Sequence, residues 1–172
     1  MSVHCSWENY HETNLYQIIW IQAFYANLDE EPAGMKAQTK PSDEWLTQAT
    51  HVFHIPCCEF GTFGAEIDPE AWALADVMED TVITKTGYSA FYENPQFLEL
   101  LRAKNITDAY FCGLATGTCV LATVLDAIKV EGLRVYGIVD CMGYRRYSGH
   151  VEAVERMKQL PMKLLDSHEL SL

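Results

Sequence analysis

The chain has 172 residues, of which 49% are hydrophobic and 21% are charged, and its formal net charge at pH 7 is −12. These values are typical of a globular protein and predict a single domain over residues 1–172, and no apolar run reaches the length that spans a membrane. The strong negative charge argues against nucleic acid or an anionic membrane as a partner.

The beginning of the chain bears on where the protein acts. Its first residues read M-S-V-H-C-S-W-E and lack the basic and apolar regions of a secretory leader. Without a leader, the six cysteines are expected to be reduced thiols. We therefore expect a cytoplasmic protein.

The first quarter of the chain carries few regular signals. Val3-His4-Cys5 could form a short strand, and the strongly apolar residues 15–26 fit either a helix or a strand, because their periodicity favours neither. Residues 27–41 are rich in Asp, Glu, Pro, Gly and Lys and predict an exposed loop.

Capping signals then mark two short helices. Ser42 is a suitable N-cap for a helix that runs through Thr47. After a glycine-marked turn, Asp68-Pro69 resembles the entry into a helix over residues 71–78.

The second half of the chain alternates strand and helix patterns. Their spacing is that of βαβ units and predicts an α/β fold. The expected architecture is a three-layer αβα arrangement with a mostly parallel, doubly wound sheet. The predicted strands lie at residues 81–84, 109–112, 133–139 and 162–165; the predicted helices lie at about 96–104, after Cys119 as far as a stop near Gly132, and at 151–159.

The chemistry of the chain centres on residues 108–120, which read D-A-Y-F-C-G-L-A-T-G-T-C-V. A buried strand ends in a glycine-containing turn, and Cys119 follows where a helix begins. Free backbone amides at a helix N-terminus favour a thiolate and could hold an oxyanion. Cys119 could equally be a small buried hydrophobic residue, as many free cysteines are. Spacing alone leaves the two interpretations about even.

Three motifs then occur in a specific order: G-T-x-G-A-E at residues 61–66, Lys85 followed by Y-S-A-F, and A-T-x-x-C-V at residues 115–120 with T-V-L-D-A behind it. Together they resemble the isochorismatase-like cysteine hydrolases, and nicotinamidases most closely. The resemblance covers roughly residues 53–170.

This resemblance implies hydrolysis of a small carboxamide, such as nicotinamide to nicotinate and ammonia in NAD salvage, through a thioester on Cys119. Lys85 would lie beside the sulfur and lower the pKa of the thiol; its other interpretation is a surface lysine at a strand end. The backbone amides of Ala115 and Cys119 would form the oxyanion hole, and the family's cis peptide would fall at Leu114–Ala115.

The sequence departs from the family at its first strand, which should end in D-x-Q-x-x-F with a catalytic aspartate. The nearest match, residues 18–24, places Trp20 at the position of the acid. Val3-His4-Cys5 resembles the second strand, so the first would precede Met1 and the fold would be N-terminally incomplete. Two alternatives stay open: a shortened active enzyme, or a member without catalysis that binds a small ligand or a partner subunit. A vinyl-ether hydrolase of the isochorismatase type is a third.

The metal site of nicotinamidases also departs from its pattern, D-W-H-P-x-x-H. Anchoring on Trp7 places Ser6 and Glu8 at the first two ligand positions and leaves His11 one position early. Glu8 and His11 could hold one divalent, zinc-like ion with help from water; a polar loop without metal is the other interpretation. The expected partner is a small carboxamide substrate, with a homo-oligomer left open.

Overall fold

The computed structural model describes residues 17–25, 42–50, 57–76 and 78–170. Within these ranges lie strands β1 to β5, helices α1 to α5, two short 3-10 turns and one π-helical turn. In chain order they are β1 Ile19–Ala23, α1 Asp43–Gln48, a 3-10 turn Phe63–Ala65, α2 Pro69–Trp72, β2 Thr81–Lys85, α3 Pro95–Ala103, β3 Asp108–Gly113, the π turn Thr116–Val120, α4 Leu121–Ala127, β4 Arg134–Met142, α5 Tyr147–Met157, β5 Lys163–Leu165 and a 3-10 turn Ser167–Glu169.

The strands form two parallel sheets. β1 pairs with β2 from Ile19 opposite Thr81 to Ala23 opposite Lys85. β3, β4 and β5 form the second sheet in that order. This confirms the prediction of an α/β fold with parallel strands. In the part of the chain that the structure describes, no backbone pairing joins β1 or β2 to β3.

The apolar segment at residues 15–26 contains a strand rather than a helix. Periodicity favoured neither structure, and pairing with β2 decides for a strand, since backbone groups of β1 bond to a neighbour 62 residues away. The indole of Trp20 donates to Asp80 Oδ2 at 2.8 Å and packs edge-on against Trp72. The Trp20 side chain therefore contacts α2 and the residue that precedes β2. The segment at Val3-His4-Cys5 and the loop at 27–41 lie outside the described residues.

Two short helices begin where their caps predict. The hydroxyl of Ser42 accepts from the backbone N–H of Trp45 at 3.1 Å, and the carboxylate of Asp68 accepts from Glu70 N and Ala71 N. The second helix is much shorter than predicted, because α2 ends at Trp72.

The reason for this early end lies in the acidic residues that follow. Asp80 accepts from the backbone N–H of Asp76, and Asp76 accepts from the N–H of Met78. Side chains that bond nearby backbone in this way compete with helical hydrogen bonds. The chain therefore turns toward β2 instead of continuing as a helix.

The second half follows the predicted order with shifted ends. α4 ends at Ala127, five residues before the predicted stop, and Gly132 instead adopts φ +81° in the turn before β4. α5 begins at Tyr147, four residues earlier than predicted, and includes Gly149 despite the low helix propensity of glycine.

The core is built around α4, whose residues are buried at six of seven positions. Val124 and Leu125 pack with Val135 of β4, with Met157 of α5 and with Leu46 of α1. Burying each such side chain stabilises the fold by about 1.5–3 kcal/mol. The N-terminal end of the α4 segment is thereby held at the carboxyl end of β3. None of the helices in the described ranges is long and apolar enough to cross a membrane.

Candidate active site

The turn after β3 is held in an unusual backbone conformation. Gly113 adopts φ +108°, which only glycine adopts readily, and the Leu114–Ala115 peptide is cis, as the resemblance implies. The backbone N–H and the hydroxyl of Thr116 both donate to the carbonyl of Gly143 at 2.9 Å. These contacts tie the turn to the end of β4.

Cys119 lies in the π-helical turn that opens the α4 segment, next to residues from both sheets. Its half-buried Sγ is 3.4 Å from Lys85 Nζ and 3.3 Å from Tyr25 Oη. Its carbonyl accepts from the hydroxyl of Thr123 one turn later at 2.7 Å. The fold therefore brings together the two residues that sequence analysis singled out, Cys119 and Lys85.

Lys85 is buried at the end of β2, with 5% of its surface exposed. Its ammonium donates to Gly87 O at 2.7 Å, to Tyr25 Oη at 3.1 Å and toward Cys119 Sγ. Burial lowers the pKa of Lys85, and the adjacent Cys119 opposes that shift. The interpretation of Lys85 as a surface residue is wrong, because pairing with β1 and packing under Tyr25 enclose its side chain.

Tyr25 is the site residue that sequence analysis missed. It follows β1, is 5% exposed, and is fixed by its backbone N–H, which donates to Cys58 O at 3.0 Å. Its ring packs edge-on against Tyr88 with centroids 6.1 Å apart. The only signal was its position near the end of an apolar segment, where a parallel strand delivers side chains to the site edge of a sheet.

The motif Y-S-A-F after Lys85 connects this part of the site to α4. The buried hydroxyl of Ser89 donates to Asp126 Oδ2 at 2.6 Å, and the backbone N–H of Ala90 donates to the hydroxyl of Thr123 at 3.1 Å. Asp126 and Thr123 belong to T-V-L-D-A, so the two motifs bond each other. Their physical role is to hold the segment after Lys85 against the helix that carries Cys119.

The backbone amide of Ala115 is the expected first half of an oxyanion hole. In the part of the chain that the structure describes, this N–H donates to no backbone carbonyl. Ala115 precedes the turn that carries Cys119. The backbone amide of Cys119 is the expected second half of the oxyanion hole. The oxyanion role of the two amides stays a prediction.

The expected metal ligands, Glu8 and His11, lie outside the described residues. Among the residues that are described, no three His, Cys, Asp or Glu side chains lie close enough together to hold a metal ion. The metal therefore stays a prediction, and no chemical step below depends on it.

The described cysteines are in two states. Cys57, Cys58, Cys112 and Cys119 are free thiols, whereas Cys141 at the end of β4 is disulfide-bonded. The expectation of six reduced thiols is therefore wrong for Cys141, because disulfide formation depends on which thiols the fold brings together. Burial raises the pKa of Cys58 to about 11.

Known proteins resemble this chain in sequence and in fold. The ureidoacrylate amidohydrolase RutB of Azorhizobium caulinodans is 43% identical over 58 residues, which is 34% of this chain and 25% of that protein. A probable inactive nicotinamidase of Arabidopsis thaliana is 28% identical over 111 residues, 64% of this chain and 55% of that protein. The chain thus spans between a quarter and about half of the length of these two curated relatives.

A solved structure extends the likeness to the fold. The pyrazinamidase of Pyrococcus horikoshii, determined in complex with zinc, superposes with a TM-score of 0.62 and 25% identity over 87% of this chain and 75% of that one. The family model of the Isochorismatase domain matches residues 20–169, which include both sheets apart from Ile19 and every residue of the site described above. The chain therefore belongs to the isochorismatase family of hydrolases.

Proposed function

We propose that this chain is a cysteine amidohydrolase that acts on a small carboxamide through a thioester at Cys119. The observation that carries the proposal is the 3.4 Å contact between Cys119 Sγ and the buried Lys85 Nζ. An ammonium at this distance favours the thiolate, which is the nucleophilic form of cysteine. The backbone amides of Ala115 and Cys119 would stabilise the oxyanion of the tetrahedral intermediate.

The reaction has two balanced halves. In the first, the thiolate of Cys119 bonds to the carboxamide carbon, the C–N bond breaks, and ammonia leaves with a proton from Lys85. In the second, water attacks the thioester, gives a proton to the Lys85 amine, and the C–S bond breaks to release the acid and the thiolate. Lys85 is suited to both steps because burial lowers its pKa below that of an exposed lysine, which makes the proton easier to give up.

The substrate class is a small neutral carboxamide, with nicotinamide as the first candidate and NAD salvage in the cytoplasm as the setting. Aromatic rings near the sulfur favour a flat substrate, since the Tyr88 ring lies 6.1 Å from that of Tyr25 and 6.4 Å from that of Trp45, measured between ring centroids. Ureidoacrylate is the second candidate, because the 58-residue match to RutB is the most identical of the relatives described above.

A role without catalysis is the competing proposal. Among the described residues, neither Cys119 nor Lys85 contacts a carboxylate, and the family's aspartate would supply one. The Arabidopsis relative, named a probable inactive nicotinamidase, favours the same interpretation. In that case the site would bind a small ligand or a partner subunit without turning it over.

Ammonia release separates the two proposals. The purified chain is incubated with nicotinamide and, separately, with ureidoacrylate, beside Cys119→Ser as the matched control. Slow release that disappears in Cys119→Ser, together with an acyl adduct on the Cys119 peptide by mass spectrometry, supports the amidohydrolase. Release that is equal in both proteins, or absent while a ligand still binds, overturns it in favour of the role without catalysis.

A further inference from the structure

Tyr25 makes a polar contact with each of the two groups that carry the proposed chemistry. Its Oη lies 3.3 Å from Cys119 Sγ and 3.1 Å from Lys85 Nζ. The three atoms form a closed triangle, because Lys85 Nζ is also 3.4 Å from the sulfur. Tyr25 is part of the hydrophobic core, so this contact is built into the packing rather than made by a loose surface side chain.

The direction of the hydrogen bonds follows from what each group can donate. An ammonium has three protons and no lone pair, so Lys85 donates to Tyr25 Oη and the phenol accepts. The phenolic proton can then be donated to the sulfur. A thiolate at Cys119 receives one hydrogen bond from a cation and a second from a neutral phenol.

We propose that Tyr25 is a catalytic residue of this chain, whose phenol donates a hydrogen bond to the Cys119 thiolate and holds the nucleophile in its reactive form. The inference rests on the proposed function, because it assigns a second donor to the same nucleophile. No bond to the Tyr25 proton breaks: the phenol stays neutral while the sulfur loses charge on forming the C–S bond and regains it when the thioester is hydrolysed.

The surroundings of Cys119 keep the phenol neutral. Burial, and next the charge of Cys119, raise the pKa of Tyr25, so it retains its proton where the thiolate forms. Among the described residues, the other titratable groups that face the sulfur are Lys85 from β2, Tyr88 from the segment after it, and Cys58. Burial raises the pKa of Tyr88 and that of Cys58, to about 11 for Cys58, so both stay neutral as well. Lys85 is then the one charged group among them.

The test measures the pH dependence of alkylation at Cys119 by iodoacetamide in the full chain, with the Cys119 peptide quantified by mass spectrometry. Tyr25→Phe keeps the ring packing against Tyr88 and removes only the hydroxyl. We expect the midpoint to rise by about one pH unit and alkylation below the midpoint to slow about tenfold, since the thiolate loses a charge-assisted hydrogen bond. Tyr136→Phe removes a phenol from β4, away from the site, and should leave the midpoint unchanged.

A second variant keeps the proposal testable if Tyr25→Phe does not fold. Incorporating 3,5-difluorotyrosine at position 25 preserves the hydroxyl and makes it a stronger donor, so the midpoint should fall. An unchanged midpoint in both variants overturns the role of Tyr25. If the midpoint shifts while the unaltered chain releases no ammonia from any carboxamide, the hydrogen bond is supported and only the proposed function fails.

Discussion

The two sheets of the molecule contribute unequally to its core. β4 lies between two strands and buries residues along most of its length, whereas β1 buries none and β2 buries only Lys85. The site nevertheless spans both sheets, with Cys119 following β3 and with Lys85 and Tyr25 following β2 and β1. We infer that the second sheet can fold as consecutive βαβ units, while the first must dock correctly for the site to exist.

What joins the sheets among the described residues is side-chain contact. Lys85 and Tyr25 reach Cys119, and the bonds from Ser89 and Ala90 to α4 hold the chain after β2. Backbone ladders do not cross between them within these ranges. We call this boundary between the β1–β2 sheet and the β3–β4–β5 sheet the seam. The following predictions either add a strand at the seam, break a contact across it, or measure the protection of residues beside it.

The largest effect is expected from adding a strand that carries the family's catalytic aspartate. Extending the chain upstream with a strand that ends in aspartate should raise turnover of nicotinamide about 10²–10⁴-fold, the usual worth of a positioned general acid and base. Ammonia release is measured for the chain as given and for the extended form. The same extension with asparagine in place of the aspartate is the control. Full activity in the chain as given would mean that another acid already fills this role.

A smaller effect is expected from breaking the charge contact across the seam. Lys85→Met should slow alkylation of Cys119 by iodoacetamide roughly 10- to 100-fold near neutral pH, because loss of an adjacent cation raises the thiol pKa by about one to two units. Lys158→Met removes a surface lysine that pairs with Glu155 and serves as control. Equal rates for Lys85→Met and the unaltered chain would contradict the assignment of Lys85.

Amide hydrogen exchange should show lower protection in the strand beside the seam than in the middle of its sheet. We expect amides at residues 109–112 of β3, which pair only with β4 among the described residues, to exchange about tenfold faster than those of Val135 and Ile138 in β4. Peptide-resolved mass spectrometry measures both strands in one experiment. Equally slow exchange in β3 and β4 would mean that another segment pairs with the open side of β3.

The smallest effect concerns the free thiols on the two sides of the seam. Cys119 should be alkylated several-fold faster than Cys57, Cys58 or Cys112 near neutral pH, because among these four it alone combines a helix N-terminus with contact to Lys85. Limited iodoacetamide labelling with peptide mapping gives the order. Earlier labelling at Cys57 or Cys58 would contradict the thiolate argument.

Local patterns in the sequence determined the second sheet and the position of the nucleophile. Alternating apolar strands and amphipathic helices specify βαβ units by themselves, and the G-L-A-T-G-T-C-V turn places Cys119 at the start of a helix whatever surrounds it. Lys85 was identified by resemblance, since a lysine at a strand end has no local signal of burial. The ends of helices were less predictable. After α2, acidic side chains bond nearby backbone groups and compete with helical hydrogen bonds.

Only the tertiary structure decided the rest of the site. Residues 15–26 could be helix or strand until β2 paired with β1, and this pairing is what carries Tyr25 to Lys85 and Cys119. The same holds for the bond between Ser89 and Asp126, which are 37 residues apart. The proximity of these two groups depends on packing that no local pattern encodes.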